Sequence, residues 1–160
     1  MESLPKPAGV IVADDDPLIR SVLKRKLEEF GQTVYQASNG AEAVSLAECI
    51  DACLIILDIR MPRLDGVQAC VQIRELPGYE HTPIVMLTFQ DNKKAQTSAS
   101  RAGATMFLVK PFGTATLMLA LSRFLPIDEA TQKTIHADAV RATGGRVFVR
   151  PPSPDGRSRL

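Results

Sequence analysis

The 160-residue chain holds no run of about 18 uncharged apolar residues, the length that a membrane-spanning helix needs, so no such helix is expected. Met1 to Gly9 carry two prolines and no apolar stretch, which is not the pattern of a secretory signal. Charge of one sign is scarce: the formal net charge is +1, so nothing global recruits nucleic acid or an anionic membrane. Cysteine is sparse too. Cys49, Cys53 and Cys70 are odd in number and lack metal-ligand spacing. They read as small apolar residues in a reducing compartment, with a cytoplasmic location, not as a disulfide framework. The two histidines, His81 and His136, have no Cys or His partner nearby and read as surface residues. What is present is 45% hydrophobic and 23% charged residues, enough for the core of one soluble domain.

Strand-like and helix-like segments alternate along that domain. Val10–Ala13 is a short apolar run that stops at three aspartates. Asp16 is a candidate N-cap before Pro17, and Ile19, Leu23, Leu27 and Phe30 follow at helical spacing until Gly31. Thr33–Ala37 reads as a second, more polar strand, and Ser38-Asn39-Gly40 turns into a helix with Ala43, Val44 and Ala47. Cys53–Leu57 is apolar on both faces, as a buried parallel strand should be, and ends at Asp58. Ile59–Gly66 forms a loop, with Asp65 before Gly66 as helix-start chemistry, and Val67, Cys70 and Val71 set the phase of a third helix. Pro83–Leu87, a helix phased by Ala95, Ala99 and Ala102, the strand Thr105–Val109 and a helix near Thr114–Phe124 complete the pattern. Five strands, each followed by a helix, argue for an α/β fold: a doubly wound parallel sheet with helices on both faces.

The informative feature is where the polar residues fall. The first strand ends in Asp14-Asp15, the third in Asp58, the fourth in Thr88 and the fifth in Lys110. Ligand chemistry in an open α/β sheet sits outside the carboxyl ends of its strands. Any one of these residues has an ordinary structural explanation; their joint placement at four strand ends does not. Three carboxylates brought together repel one another. A hard cation and a lysine relieve that, and Mg²⁺ suits one to three carboxylates together with phosphate oxygens. The site therefore expects Mg²⁺, Lys110 as counter-charge, an incoming phosphoryl group, and Thr88 as a donor to its oxygens. A carboxylate can itself accept the phosphoryl group, and the middle strand singles out Asp58 as that nucleophile.

The runs Val12–Pro17, Leu57–Gly66, Met86-Leu87-Thr88 and Val109–Phe112 resemble, in order and spacing, the receiver domain of two-component response regulators. The resemblance spans about residues 9 to 125. It implies a flavodoxin-like sheet of order 2-1-3-4-5. It implies Asp58 as phosphoacceptor and Asp14, Asp15, Asp58 and the backbone carbonyl of Arg60 as the Mg²⁺ ligands. Thr88 matches the switch hydroxyl, Lys110 the phosphoryl-pairing lysine, and Phe107 the switch aromatic. It also implies a cis bond at Lys110-Pro111 and a sensor histidine kinase or phosphotransfer protein as phosphoryl donor. Three positions depart from or vary the pattern. Phe89 stands where a small residue usually leaves access to the acceptor, and Arg60 and Gln90 stand where side chains tune phosphoryl lifetime.

Residues 1–8 read as a flexible N-terminus, and 126–160 as an extension with a weak helical rhythm in Ile135, Ala139 and Ala142. From Gly144 onward four arginines face one acid among three prolines and three glycines, the composition of a disordered basic tail. Leu117–Leu121 is apolar all round, which means either deep burial or a partner surface. No output domain is recognisable after Pro126. The expectation is a stand-alone response regulator, not an enzyme, that signals by binding a downstream protein through its last helix and strand face, without DNA or membrane binding. The alternatives are a phosphorylation-independent adaptor on the same fold, or a phosphatase of the haloacid dehalogenase type suggested by the spacing of Asp14 and Asp16.

Overall fold

The computed structural model describes residues 4–89 and 93–143. Five parallel strands form one sheet: β1 (Ala8–Ala13), β2 (Val34–Ala37), β3 (Asp51–Asp58), β4 (Ile84–Phe89) and β5 (Met106–Lys110). Their order is β2-β1-β3-β4-β5, so the fold and the strand order are those expected. The most polar strand, β2, lies at an edge, and β1, β3 and β4 lie inside. Six helices accompany them among the described residues: α1 (Pro17–Glu29), α2 (Gly40–Cys49), α3 (Gly66–Glu75), α4 (Lys93–Arg101), α5 (Thr114–Ser122) and α6 (Glu129–Thr143).

The sheet divides two cores. On one face, Ile11, Ala13, Ile55, Leu57 and Met86 pack with Ala43, Ala47, Cys70, Ile73 and Ala99 from α2, α3 and α4. On the other, Val10, Val12, Leu54, Ile56, Val85 and Leu87 pack with Leu23 and Leu27 of α1 and Leu117 and Leu121 of α5. Successive residues of a strand alternate between the two cores, and this alternation positions the site described below.

Local capping follows the sequence. The Asp16 carboxylate accepts from the Leu18 N–H at 2.9 Å at the start of α1. Asp65 and Gln68 form a reciprocal capping box at the start of α3. Asn39, which the sequence only placed in a turn, caps α2 through the Glu42 N–H. His81 and His136 are exposed, as expected.

Two elements differ from expectation. In α3 the inward residues are Gly66, Ala69, Cys70 and Ile73, while Val71 is exposed. Val67 and Cys70 fix the phase, but Val71 lies a full quarter-turn beyond Cys70 and leaves the core. The weak rhythm after Pro126 is a full helix, α6. Ile135 and Ala139 are buried and Ala142 is exposed. The α6 helix packs against α5, so α5 is covered on its outer side by the chain itself. The expected disordered tail beyond residue 143 lies outside the described residues.

Candidate functional site

The register of the sheet brings the acidic residues together. Ala13 pairs with Leu57, so Asp14 and Asp58 stand side by side one step beyond, as β1 and β3 end. Both share the side-chain parity of Val12 and Ile56, which belong to the α1/α5 core. Lys110 shares that parity on β5 through Leu108 and reaches across to both carboxylates. Its Nζ lies 2.8 Å from Asp14 Oδ2 and 3.4 Å from Asp58 Oδ2. Asp14 is fully buried, and Asp58 and Lys110 are nearly so, while Asp15 is exposed.

Each acid is held by its own element. Asp14 Oδ1 accepts from the Asp16 N–H at 2.9 Å, and Arg20 of α1 donates to the Asp14 carbonyl at 2.6 Å. Asp58 is held by its backbone. The Ile59 N–H donates to Leu87 at 3.0 Å, and the Gly66 N–H returns to the Ile59 carbonyl at 2.9 Å. Gly66 has no room for a side chain, because a Cβ there would overlap the Asp58 backbone carbonyl. The start of α3 is therefore pressed directly against the end of β3. Arg63, in the intervening loop, adopts a left-handed φ of 66°, uncommon for a residue with a side chain.

Electrostatics at the site are unbalanced. The Asp58 carboxyl is pushed up to about 6, first by burial and then by the Asp14 carboxylate; Lys110 and the backbone N–H of Arg60 oppose the rise. Carboxylate oxygens of Asp14, Asp15 and Asp58 all lie within 4.8 Å of one another. Three acids with one lysine leave net negative charge in a partly desolvated pocket. The donor set is all hard oxygen, which fits a hard divalent cation such as Mg²⁺.

Thr88 and Phe107 are placed together but on the other parity. Thr88 shares the side of Met86, and Met86 pairs with Phe107, so the two side chains are diagonal neighbours at the carboxyl end of the α2–α4 face. Thr88 is buried, and its hydroxyl makes a long 3.4 Å bond to the Phe89 carbonyl. Arg60 directly follows the Asp58 loop and is exposed. The Lys110-Pro111 bond is cis, as the resemblance implied. Gln90 lies outside the described residues.

Phe89 pairs in register with Lys110 and shares its side of the sheet. Its ring centroid lies 5.0 Å from Lys110 Nζ, a cation–π contact, yet the residue is 61% exposed. With Leu18, Val22, Phe112 and Leu117 it lines an apolar cavity of about 290 Å³ beside the acids. The roles of Arg20 and Gly66 were not read from the sequence. Arg20 acts on a carbonyl six residues earlier, a contact no linear spacing announces. The close approach at Gly66 is visible only once α3 is packed.

The comparisons with known proteins agree with this geometry. The family model for the response regulator receiver domain matches residues 10–122. The chain belongs to that family. The receiver is 33% identical over 122 residues to the Staphylococcus aureus transcriptional regulatory protein SrrA, which covers 76% of this chain and 49% of SrrA. The receiver thus spans about half the length of the curated relatives it matches. Among solved structures it is similar to the Vibrio cholerae chemotaxis response regulator CheY4, with TM-score 0.69 and 33% identity over 75% of this chain and 99% of CheY4. It is also similar to the receiver domain of the Pseudomonas aeruginosa sensor histidine kinase PA1611, with TM-score 0.67 and 29% identity over 74% and 97% of the two chains. That structure has a magnesium ion coordinated in its active site cleft. The family assignment replaces the dehalogenase-type alternative. No helix among the described residues is long and apolar enough to cross a membrane.

Proposed function

We propose that this receiver accepts a phosphoryl group on Asp58 from a histidine kinase or phosphotransfer protein and signals by phosphorylation-controlled binding. The observation that carries the reading is the Asp14–Asp58–Lys110 arrangement. A nearly buried carboxylate ends the central strand with a lysine 3.4 Å away and a second carboxylate in the neighbouring register position. In the transfer, a carboxylate oxygen of Asp58 attacks the donor phosphorus. The new O–P bond forms as the donor's N–P bond breaks, and the electron pair leaves with the imidazole nitrogen. Lys110 then pairs with the phosphoryl oxygens, and Thr88 supplies a hydroxyl donor from β4.

Asp14, Asp15 and Asp58, with the Arg60 backbone carbonyl, would hold Mg²⁺. When bound, the ion neutralises charge on the carboxylates and the phosphoryl oxygens. The new dianion draws Thr88 inward and lets its diagonal neighbour Phe107 turn, which carries the change to β5. Leu18 and Val22 on α1, with Phe89, form an exposed apolar rim beside Asp58 and suit the donor protein's surface.

We take residues 9–125 as the receiver unit and 126–160 as an extension to it. A stand-alone mode of action, in a cytoplasmic setting and without direct DNA binding, is part of the proposal. Its support is that α6 folds back on α5 instead of leading away from the receiver unit. The test is incubation with acetyl phosphate and Mg²⁺, read by phosphate-affinity gel for the wild type and Asp58→Asn. One shifted species that disappears in Asp58→Asn is expected. Labelling that persists in Asp58→Asn puts the phosphoryl group on another residue and overturns the assignment, whereas no labelling of the wild type, or partner binding that Asp58→Asn leaves unchanged, favours the phosphorylation-independent adaptor.

A further inference from the structure

The loop that follows Asp58, residues 59–65, is held by two close backbone approaches. One is Gly66 against the Asp58 carbonyl. The other lies where the loop crosses the start of α2. The first N–H groups of a helix have no partner inside it. In α2 the Asn39 side chain accepts from the Glu42 N–H, and the Gly40 N–H leaves the helix and donates to the Leu64 carbonyl at 3.0 Å. A Cβ on Gly40 would overlap that same carbonyl. Gly40 is buried at the first position of α2, and its φ is not positive. Alanine is the better helix former in such a backbone, so the close approach is what calls for glycine.

Directly before this contact the chain makes a three-residue turn. The Leu64 N–H donates to the Pro62 carbonyl at 2.8 Å, and Arg63 at the centre has the left-handed φ of 66°. A turn of this kind is strained for a residue with a side chain and persists only where its surroundings hold it. The holding groups are Gly40 on the Leu64 carbonyl and the side chains of Ile59, Met61 and Leu64, which pack into the α2–α4 core. The Arg60 and Arg63 side chains are exposed, so the course of the loop is set by its backbone and these apolar anchors.

We propose that Gly40 is a positioning residue for the site: through the Leu64 carbonyl it holds the loop against α2, and so fixes the Arg60 carbonyl and the Asp58 carboxylate where Mg²⁺ would be held. Asp58 and Arg60 stand on the short stretch leading into the Pro62–Leu64 turn, so a shift at Leu64 has few bonds in which to be absorbed. The inference rests on the metal site of the proposed function and adds to it a residue from a helix that carries none of the ligands.

The test compares the full chain as wild type, Gly40→Ala and Gly9→Ala. Gly9 is the control: a Cβ there would crowd the Tyr35 ring at 2.6 Å and the Thr33 carbonyl at 2.7 Å, near the end of β1 away from Asp14. Two readings are taken without a phosphoryl donor and under conditions where the proteins are folded: amide exchange in metal-free buffer, and a Mg²⁺ titration followed by amide chemical shifts. In Gly40→Ala, exchange should quicken across residues 58–65. The Mg²⁺ concentration for half-saturation should rise by about tenfold, the usual scale for disturbing groups that orient metal ligands. Gly9→Ala should lose stability and leave both readings as in the wild type. If Gly40→Ala does not fold, Leu64→Ala loosens the same contact from the loop's side without adding a methyl, and should move both readings in the same direction. A folded variant with wild-type half-saturation and wild-type exchange at residues 58–61 overturns the proposal. So does an equal effect of Gly9→Ala. Neither reading involves phosphorylation, so the outcome is independent of whether Asp58 is labelled.

Discussion

At the scale of single residues, Asp58 is the costly one. Its carboxyl is raised to about 6 in the folded protein against an ordinary value of 3.8. The folded state therefore binds more protons than the unfolded chain between about pH 4 and pH 6. Stability from this group is present at low pH, falls as pH rises through that window, and stays lost above it. In metal-free buffer Asp58→Asn should raise stability at pH 7 by roughly 1–3 kcal/mol and remove this part of the pH slope. Chemical denaturation of both proteins at pH 4.5 and pH 7 measures it. An equal wild-type–variant difference at the two pH values would contradict the assignment.

Asp14 behaves differently although it belongs to the same cluster. It is the closer partner of Lys110 and also accepts the Asp16 N–H. Asp14→Ala should therefore destabilise the protein despite removing a negative charge, because it strips a buried lysine of its nearer partner. Phe89 stands over the same lysine. The ring centroid lies 5.0 Å from the ammonium that pairs with Asp58, so Phe89→Ala should speed labelling by acetyl phosphate on the order of tenfold if the ring costs about 1.4 kcal/mol of approach. A time course of labelling at fixed Mg²⁺ reads this directly, and an equal or slower rate in the variant would mean that the ring does not restrict access.

At the scale of elements, the sheet edge was the most legible part of the sequence. Apolar runs ending in Asp14, Asp58, Thr88 and Lys110 each signalled a strand end, and the carboxyl-edge rule converted four strand ends into one site. What linear spacing did not carry was side-chain parity. Asp14, Asp58, Lys110 and Phe89 share one side of the sheet, while Thr88 and Phe107 share the other. A one-residue change of register would have reversed either set, and register is fixed by packing.

The α3 helix shows the same limit. Val71 was a plausible core residue by type, but Ile73 is the one that is fully buried. Ile73→Ala should cost about 2–5 kcal/mol and Val71→Ala under about 0.5 kcal/mol, measured by thermal or urea unfolding. Gly66→Ala would place a methyl against the Asp58 backbone, so it should lower stability by about 1–3 kcal/mol and reduce phosphorylation together. Destabilisation with an unchanged labelling rate would show that the end of β3 moves without displacing the carboxylate.

At the scale of the whole molecule, the receiver is a sheet between two cores with its polar groups gathered at one edge. Composition and alternation were enough to reach that architecture, because each strand is short, apolar and bounded by turn chemistry. The strand order and the metal-ligand set came from resemblance, since no periodicity says which strands are neighbours. The extension beyond Pro126 was the least legible region. Its helical rhythm is weak because α6 buries only a thin stripe, Ile135 and Ala139, on one neighbouring helix. The all-round apolarity of α5 was the stronger signal: a helix with two covers needs no polar face.

The central claim is that the carboxylate ending the middle strand takes the phosphoryl group. Its most direct test is to label the wild-type chain with acetyl phosphate and Mg²⁺, reduce the acyl phosphate with borohydride, and locate the reduced residue by peptide mass spectrometry. Reduction confined to Asp58, dependent on Mg²⁺ and lost when Lys110 is replaced by alanine, is the predicted result. Reduction at Asp14 or Asp15, or labelling indifferent to both the metal and Lys110, would contradict it.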